Sequence, residues 1–307
     1  DMTMPGEAQK ITSLVTGATG PKWSPDGKRI AFESRVYPGK LTDEENAAEK
    51  KAREERDYNA TAYDIFPIRQ WNRWRDDLQT HVFVQEAVPG AEAKDLLAGT
   101  EFVARPGFAG VPSLASESLK PEWTPDGGAL VLSATQNLDD AAHSTTVYHL
   151  YRLAATGGEP QALTGGNEWS CQSAKFAPQG DALYCEYEPV TEFAYNLTEI
   201  ARFEWPKSGT ASDFKAEPTL LTDGFDRSVG DMALSTDGKT MYFTAADEGR
   251  MRLFSVPAGG RGTVSALDPD SGGVYAGPQP AGRSLVALWE DATNPAELVR
   301  VDTRNGS

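Results

Sequence analysis

The chain has 307 residues and a formal net charge of −16. That length supports a large core, and that charge speaks against nucleic acid or an anionic membrane surface as partner, since both need basic patches. No run approaches the roughly 20 apolar residues that span a bilayer as a helix, and three histidines and two cysteines are too few and too scattered for a zinc site.

Residues 1–17 end in Gln9-Lys10-Ile11-Thr12-Ser13-Leu14-Val15-Thr16-Gly17, which reads as an outer strand. Next comes Trp23-Ser24-Pro25-Asp26-Gly27-Lys28-Arg29-Ile30-Ala31-Phe32: strand, tight turn, strand. Pro25 presets φ for the turn, and Asp26-Gly27 supplies the position with φ > 0 that closes it.

The phrase recurs. It returns at Trp123-Thr124-Pro125-Asp126-Gly127, at Phe176-Ala177-Pro178-Gln179-Gly180 and at Leu234-Ser235-Thr236-Asp237-Gly238. A weaker copy ends in Pro280-Ala281-Gly282. Each hairpin leads to a third strand, namely 81–84, 150–153, 200–203, 253–256 and 298–301. After the first four come short fourth strands at 95–97, 161–164, 219–222 and 264–267. Four antiparallel strands at a period of about 45–60 residues predict an all-β chain, a β-propeller of four-stranded blades. A β-sandwich does not account for the agreement between period and turn chemistry.

The expected organisation is one propeller domain over 1–307. Residues 1–17 form an orphan outer strand, and 18–99 form a blade with a helical insertion at 35–78. Further blades lie at 118–165, 168–223, 229–268 and 272–307. The orphan strand at one end and the missing fourth strand at the other fit a closed five-bladed ring or a piece of a larger propeller; the latter is the expectation.

Inside the insertion, Thr42-Asp43-Glu44-Glu45 is a capping box, and Glu49 and Arg53 are a favourable pair on a mostly solvated helix. The stretch Tyr63-Asp64 to Asp76-Asp77 interleaves Arg69, Arg73 and Arg75 with Trp71 and Trp74. Guanidinium planes stack on indoles and fork onto carboxylates, so this cluster is a candidate recognition surface. The plainer alternative is packing, with the aromatics against the first blade and the arginines on Asp64, Asp76 and Asp77. Residues 100–118 read as a connecting loop. Cys171 and Cys185 flank the third turn; a cross-strand disulfide and two buried thiols both fit that spacing.

A nucleophile elbow of the Gly-x-Ser-x-Gly type and a phosphate loop are both absent from the sequence. The residues predict no cofactor, no metal and no complete catalytic set.

The Trp-Ser-Pro-Asp-Gly phrases, the Gly-Gly-Glu-Pro-x-x-Leu-Thr links and above all Ile68-Arg69-Gln70-Trp71-Asn72-Arg73-Trp74 followed by His81-Val82-Phe83-Val84 resemble the N-terminal propeller of prolyl-oligopeptidase-family serine peptidases. The branch is that of bacterial dipeptidyl-peptidase and acylaminoacyl-peptidase-like enzymes. The resemblance covers nearly the whole chain and departs at Gln70 and Asn72, where relatives often carry His and Asp. It implies a propeller that filters and helps hold short peptide substrates. The Ser-Asp-His triad would lie on a C-terminal α/β-hydrolase domain absent from these 307 residues. By the same resemblance Arg69, Trp71 and Trp74 line the substrate cavity and Asp64 contacts an ammonium group. Relatives are often exported, so a periplasmic or secreted location is expected, with a cytoplasmic one also compatible; a homo-oligomer is compatible too. The hairpin phrase is shared with TolB-type propellers, and the alternative is an interaction module of the bacterial envelope.

Overall fold

The computed structural model describes residues 7–63, 66–113, 116–193, 195–260, 262–267 and 272–303. The chain divides into two compact units, Asp1–Ala162 and Leu163–Ser307. The expected fold is what is found: an all-β chain of small antiparallel sheets built in sequence order, as in a β-propeller.

In the first unit, β1 (Thr19–Trp23) and β2 (Arg29–Val36) form the first hairpin. Helix α1 (Asp43–Glu54) and a small hairpin, β3 (Arg69–Gln70) with β4 (Arg73–Trp74), fill the insertion. Strands β5 (Gln79–Glu86) and β6 (Lys94–Asp95) complete a sheet of order β1-β2-β5-β6. A short helix α2 (Glu101–Ala104) leads to β7 (Ala109–Pro112), β8 (Glu117–Ser118), β9 (Glu122–Trp123), β10 (Ala129–Thr135), β11 (His149–Ala154) and β12 (Gln161–Ala162). These six strands make the second sheet, in which β9 and β7 both pair β10.

Among the described residues the second unit holds three sheets. One has β13 (Trp169–Phe176), β14 (Ala182–Pro189), β15 (Glu199–Glu204) and β16 (Thr219–Leu220). Another has β17 (Val229–Leu234), β18 (Thr240–Asp247), β19 (Arg250–Pro257) and β20 (Ser265–Ala266). The last has β21 (Val274–Ala281), β22 (Ser284–Glu290) and β23 (Glu297–Val301).

The repeated turns explain why these strands pair in register. Their glycines, Gly27, Gly127, Gly180, Gly238 and Gly282, all sit at φ between 62° and 73°, where an L side chain is disfavoured. In the first copy the Ser24 hydroxyl donates to Asp26 Oδ1 at 2.6 Å and accepts from Arg29 N–H at 2.9 Å. Thr124 with Asp126, and Ser235 with Asp237, repeat that bracket at 2.6 and 2.7 Å. Successive turns are tied together within each unit. Arg29 donates to the Gly127 carbonyl at 2.7 Å, Gln179 to that of Asp237 at 2.7 Å, and Thr236 to that of Gly282 at 2.8 Å.

A single sheet cannot bury both faces, and stacking solves this. In the first unit Ala31, Val82, Val84 and Leu96 of the first sheet share one core with Trp123, Leu130, Leu132 and Leu153 of the second. Glu33, buried at that junction, accepts from Ser118 Oγ at 2.8 Å and from the Leu119 N–H; burial pushes its carboxyl up. The second unit has its own core around Tyr184, Met241, Phe243 and Phe254.

Two expectations change. Residues 7–17 form no strand. Side chains satisfy this backbone instead: Gln85 Nε2 donates to the Ile11 carbonyl at 2.8 Å and Asp43 Oδ1 accepts from Val15 N–H at 3.0 Å. Ile11 and Leu14 pack on Ile30, Phe32 and Phe83. The stretch 100–118 is not only a loop, because β7 and β8 extend the second sheet past β10. Cys171 and Cys185 form a disulfide across β13 and β14, with Cα atoms 5.7 Å apart. Among the described residues no helix is long and apolar enough to cross a membrane.

Candidate functional site

The capping box forms as the sequence requires: Glu45 N–H donates to Thr42 Oγ1 at 3.2 Å and Thr42 N–H to Glu45 Oε2 at 3.3 Å. The helix so started carries Arg53. Arg53 binds Glu49 at 2.8 Å, forks onto Asp77 at 2.6 and 2.8 Å, and lies 4.5 Å from the Tyr37 ring centroid. The guanidinium holds the Asp77 carboxyl below its usual range. One end of the arginine–tryptophan stretch is thereby fixed to α1.

The same end is also fixed to the two sheets. Arg35 of β2 pairs with Asp76, Nη1 to Oδ2 at 3.0 Å, and Arg75 pairs with Glu117 of β8. Gln70 Nε2 donates to the Ser113 carbonyl at 3.0 Å. Between these anchors stands the β3–β4 hairpin, with Arg69 opposite Trp74 and Gln70 opposite Arg73.

The hairpin, with Pro112, Ser113, Ser116 and Glu117, borders a groove of about 760 Å³ that Trp71, Arg73 and Trp74 also line. That is the size of a small-ligand or short-peptide cleft. Trp71 is 86% exposed and Trp74 66%. Trp74 leaves one part of its ring against Tyr63 and Arg69, yet both indoles stay open on one short hairpin, the composition of a recognition surface. Trp71 also sits at φ 49°, a region that is an outlier for a bulky side chain and marks stored local strain.

Of the residues singled out from the sequence, Trp71 and Trp74 line the groove directly. Arg69 supports it: its guanidinium lies 5.6 Å from the Trp74 ring centroid and donates to the Trp71 carbonyl at 3.2 Å. Asp64 lies outside the described residues. The pairing alternative is met in part, with other partners: Asp76 and Asp77 take Arg35 and Arg53, from outside the cluster, and Arg75 takes Glu117. Arg35, Leu78, Pro112, Ser113 and Glu117 were not legible as site residues, since they come from stretches distant in sequence and none carries a motif of its own.

His81 is not part of this site. It bonds Asp95 through Nδ1 at 2.7 Å beneath the first sheet. Among the described residues no group of histidines, cysteines and carboxylates could hold a metal ion.

Sheets of this order, joined by these turns, define the β-propeller class. No protein-family model matches the chain. Dipeptidyl-peptidase 5 of Porphyromonas gingivalis is 22% identical over 253 residues, 78% of this chain and 32% of that protein, so the chain spans about a third of this curated relative. Among solved structures, the acylaminoacyl peptidase of Pyrococcus horikoshii superposes with a TM-score of 0.59 at 16% identity, over 93% of this chain and 37% of that one. TolB of Acinetobacter baumannii superposes with a TM-score of 0.52 at 16% identity, over 95% and 53%. The chain thus resembles the propeller part of prolyl-oligopeptidase-type peptidases over nearly its whole length.

Proposed function

We propose that this chain is the substrate-binding and substrate-gating propeller part of a serine exopeptidase acting on short peptides, by dipeptidyl or acylaminoacyl release. The reaction itself belongs to a Ser-Asp-His triad on an α/β-hydrolase domain, the chain's partner in this reading. One observation carries it: an open groove of peptide size on the insertion, with Trp71 and Trp74 exposed at its wall. The sequence resemblance to a dipeptidyl-peptidase supports the same reading. Arg69 positions Trp74, and the two indoles contact the peptide. The disulfide favours an oxidising compartment, periplasmic or secreted.

The test is binding of fluorescein-labelled tetra- to hexapeptides by anisotropy. Trp71→Ala with Trp74→Ala is expected to weaken binding at least about tenfold, the scale of one lost aromatic anchor. Aminoacyl and dipeptidyl chromogenic substrates should stay intact with these 307 residues alone. Hydrolysis by the isolated chain overturns the proposal.

A second reading, an interaction propeller of TolB type, is favoured by the likeness to TolB. It expects binding of a folded protein and no affinity for short peptides in the same assay.

A further inference from the structure

Val36 of β2, with Phe83 and Gln85 of β5, floors a second cavity of about 700 Å³. Phe83 and Gln85 stand two apart on their strand and so share one face of the first sheet. Residues 13–16, the start of α1 and the 90–95 stretch line the rest, and no lining residue is shared with the Trp71 groove. The function proposed above makes no use of this cavity.

Its polar lining consists mostly of acceptors. Gln85 is only 2% exposed. Its Nε2 donates to the Ile11 carbonyl at 2.8 Å, which fixes the orientation of the amide, and Oε1 is left without a partner among the described residues. A buried acceptor that lacks a donor is costly and calls for a reason.

The charge points the same way. Asp43, Glu44, Glu92 and Asp95 line the cavity with a single cation, Lys94. Lys94 is turned elsewhere, its Nζ donating to the Thr156 carbonyl at 2.7 Å. Asp95 is taken up by His81 and by the Leu97 and Ala98 N–H groups, and Asp43 Oδ1 by Val15 N–H. Glu44 and Glu92 are exposed and have no ion-pair partner among the described residues. Leu14, Leu41 and Phe83 add apolar surface between these acceptors.

We infer that this cavity binds an alkylammonium group. The ammonium donates to Gln85 Oε1 in the field of Glu44 and Glu92, and its methylene stem lies on Phe83, Leu14 and Leu41. Charge, hydrogen-bond donors and an apolar stem are all required, because the lining offers carboxylates, an orphan acceptor and hydrocarbon together.

The probe is pentylamine, titrated into the chain by calorimetry at low salt. Pentanol keeps the stem without the charge, and pentyltrimethylammonium keeps the charge without an N–H donor. Each is expected to bind at least about tenfold more weakly than pentylamine. Glu44→Gln with Glu92→Gln, both on the surface, should weaken pentylamine severalfold, with the difference shrinking as salt rises. Equal binding of pentyltrimethylammonium overturns the hydrogen-bonded site. Unchanged affinity in the double variant places the amine elsewhere and overturns the assignment, as does an absence of pentylamine binding at about 1 mM. Nα-acetyl-lysine amide separates the sources: affinity equal to that of pentylamine supports a lysine side chain as ligand, weaker affinity a free amine, and both support the site. Peptide binding at the Trp71 groove is measured on other residues, so neither reading falls with the other.

Discussion

Two of the tight hairpins in the first unit obey opposite rules. The β1–β2 turn puts glycine at φ 69° and surrounds it with a hydroxyl–carboxylate bracket and a backbone bond from Gly27 N–H to the Ser24 carbonyl at 2.9 Å. The β3–β4 turn puts Trp71 at φ 49° and leaves that indole almost fully exposed. The first is what a chain does when a turn has only to hold strands together. The second spends local stability on presenting a side chain, as the proposed recognition surface requires.

The same comparison extends to the third repeat, where the bracket is missing. Ala177 and Gln179 stand where Ser24 and Asp26, or Thr124 and Asp126, stand in other copies. That hairpin is the one crossed by the Cys171–Cys185 disulfide, closing a loop of sequence separation 14. Constraining a loop of this length stabilises by about 3 kcal/mol. Cys171→Ala with Cys185→Ala should therefore give the largest loss among these variants, read as a lowered midpoint in denaturant. Restoring the bracket with Ala177→Ser and Gln179→Asp in that background should recover part of it, on the order of 1 kcal/mol, measured against Gln179→Asp alone, which carries the loss of the bond to the Asp237 carbonyl. No recovery would mean that the bracket does not stabilise its hairpin.

The next effect separates the two hairpins directly. Gly27→Ala meets no atom within 4 Å, so its cost is purely the left-handed backbone, about 1 kcal/mol. Trp71→Gly should do the reverse and stabilise the chain by up to about 1 kcal/mol, while weakening peptide binding about tenfold. A Trp71→Gly chain that is destabilised would show that the indole packs rather than presents.

The repeats were legible because each turn carries its own punctuation. Pro25, Asp26 and Gly27 act within four residues, and the same local chemistry located the copies at 123–127, 176–180 and 234–238 without any tertiary knowledge. Trp71 and Trp74 were legible for a similar reason, since their interleaving with arginines is local. What the sequence hid is tertiary. Glu117 meets Arg75 across 42 residues and Ser113 meets Gln70 across 43, so the far wall of the groove has no sequence neighbour to announce it. The strand expected over 9–17 failed for a related reason: the pattern of Ile11 and Leu14 fits a strand, yet distant Gln85 and Asp43 take its backbone groups.

The smallest effects concern protons, and here two carboxylates of the first unit pull in opposite directions. Asp126 is held below its ordinary range by the Thr124 hydroxyl, then by Gly128 N–H; Asp26 and Asp237 are lowered in the same way by Ser24 and Ser235. A depressed carboxyl contributes stability that is full above its unfolded value, near 3.9, and is lost as pH falls through the folded one. Glu33 is raised, first by burial, against the hydrogen bonds from Ser118 and Leu119. Its contribution is present below the ordinary glutamate value, near 4.3, and is lost as pH rises through the folded one. Midpoints of thermal unfolding measured from pH 2.5 to 8 can separate the two. Changing all three bracket aspartates to Asn should flatten the loss below about pH 4, because the amide still accepts the hydroxyl bond but no longer takes up a proton. Glu33→Gln should leave that acid limb alone and remove a decline on its alkaline side. If the Asn variants keep the full acid limb, the turns are held by backbone geometry alone, and the contrast with the Trp71 turn reduces to the glycine.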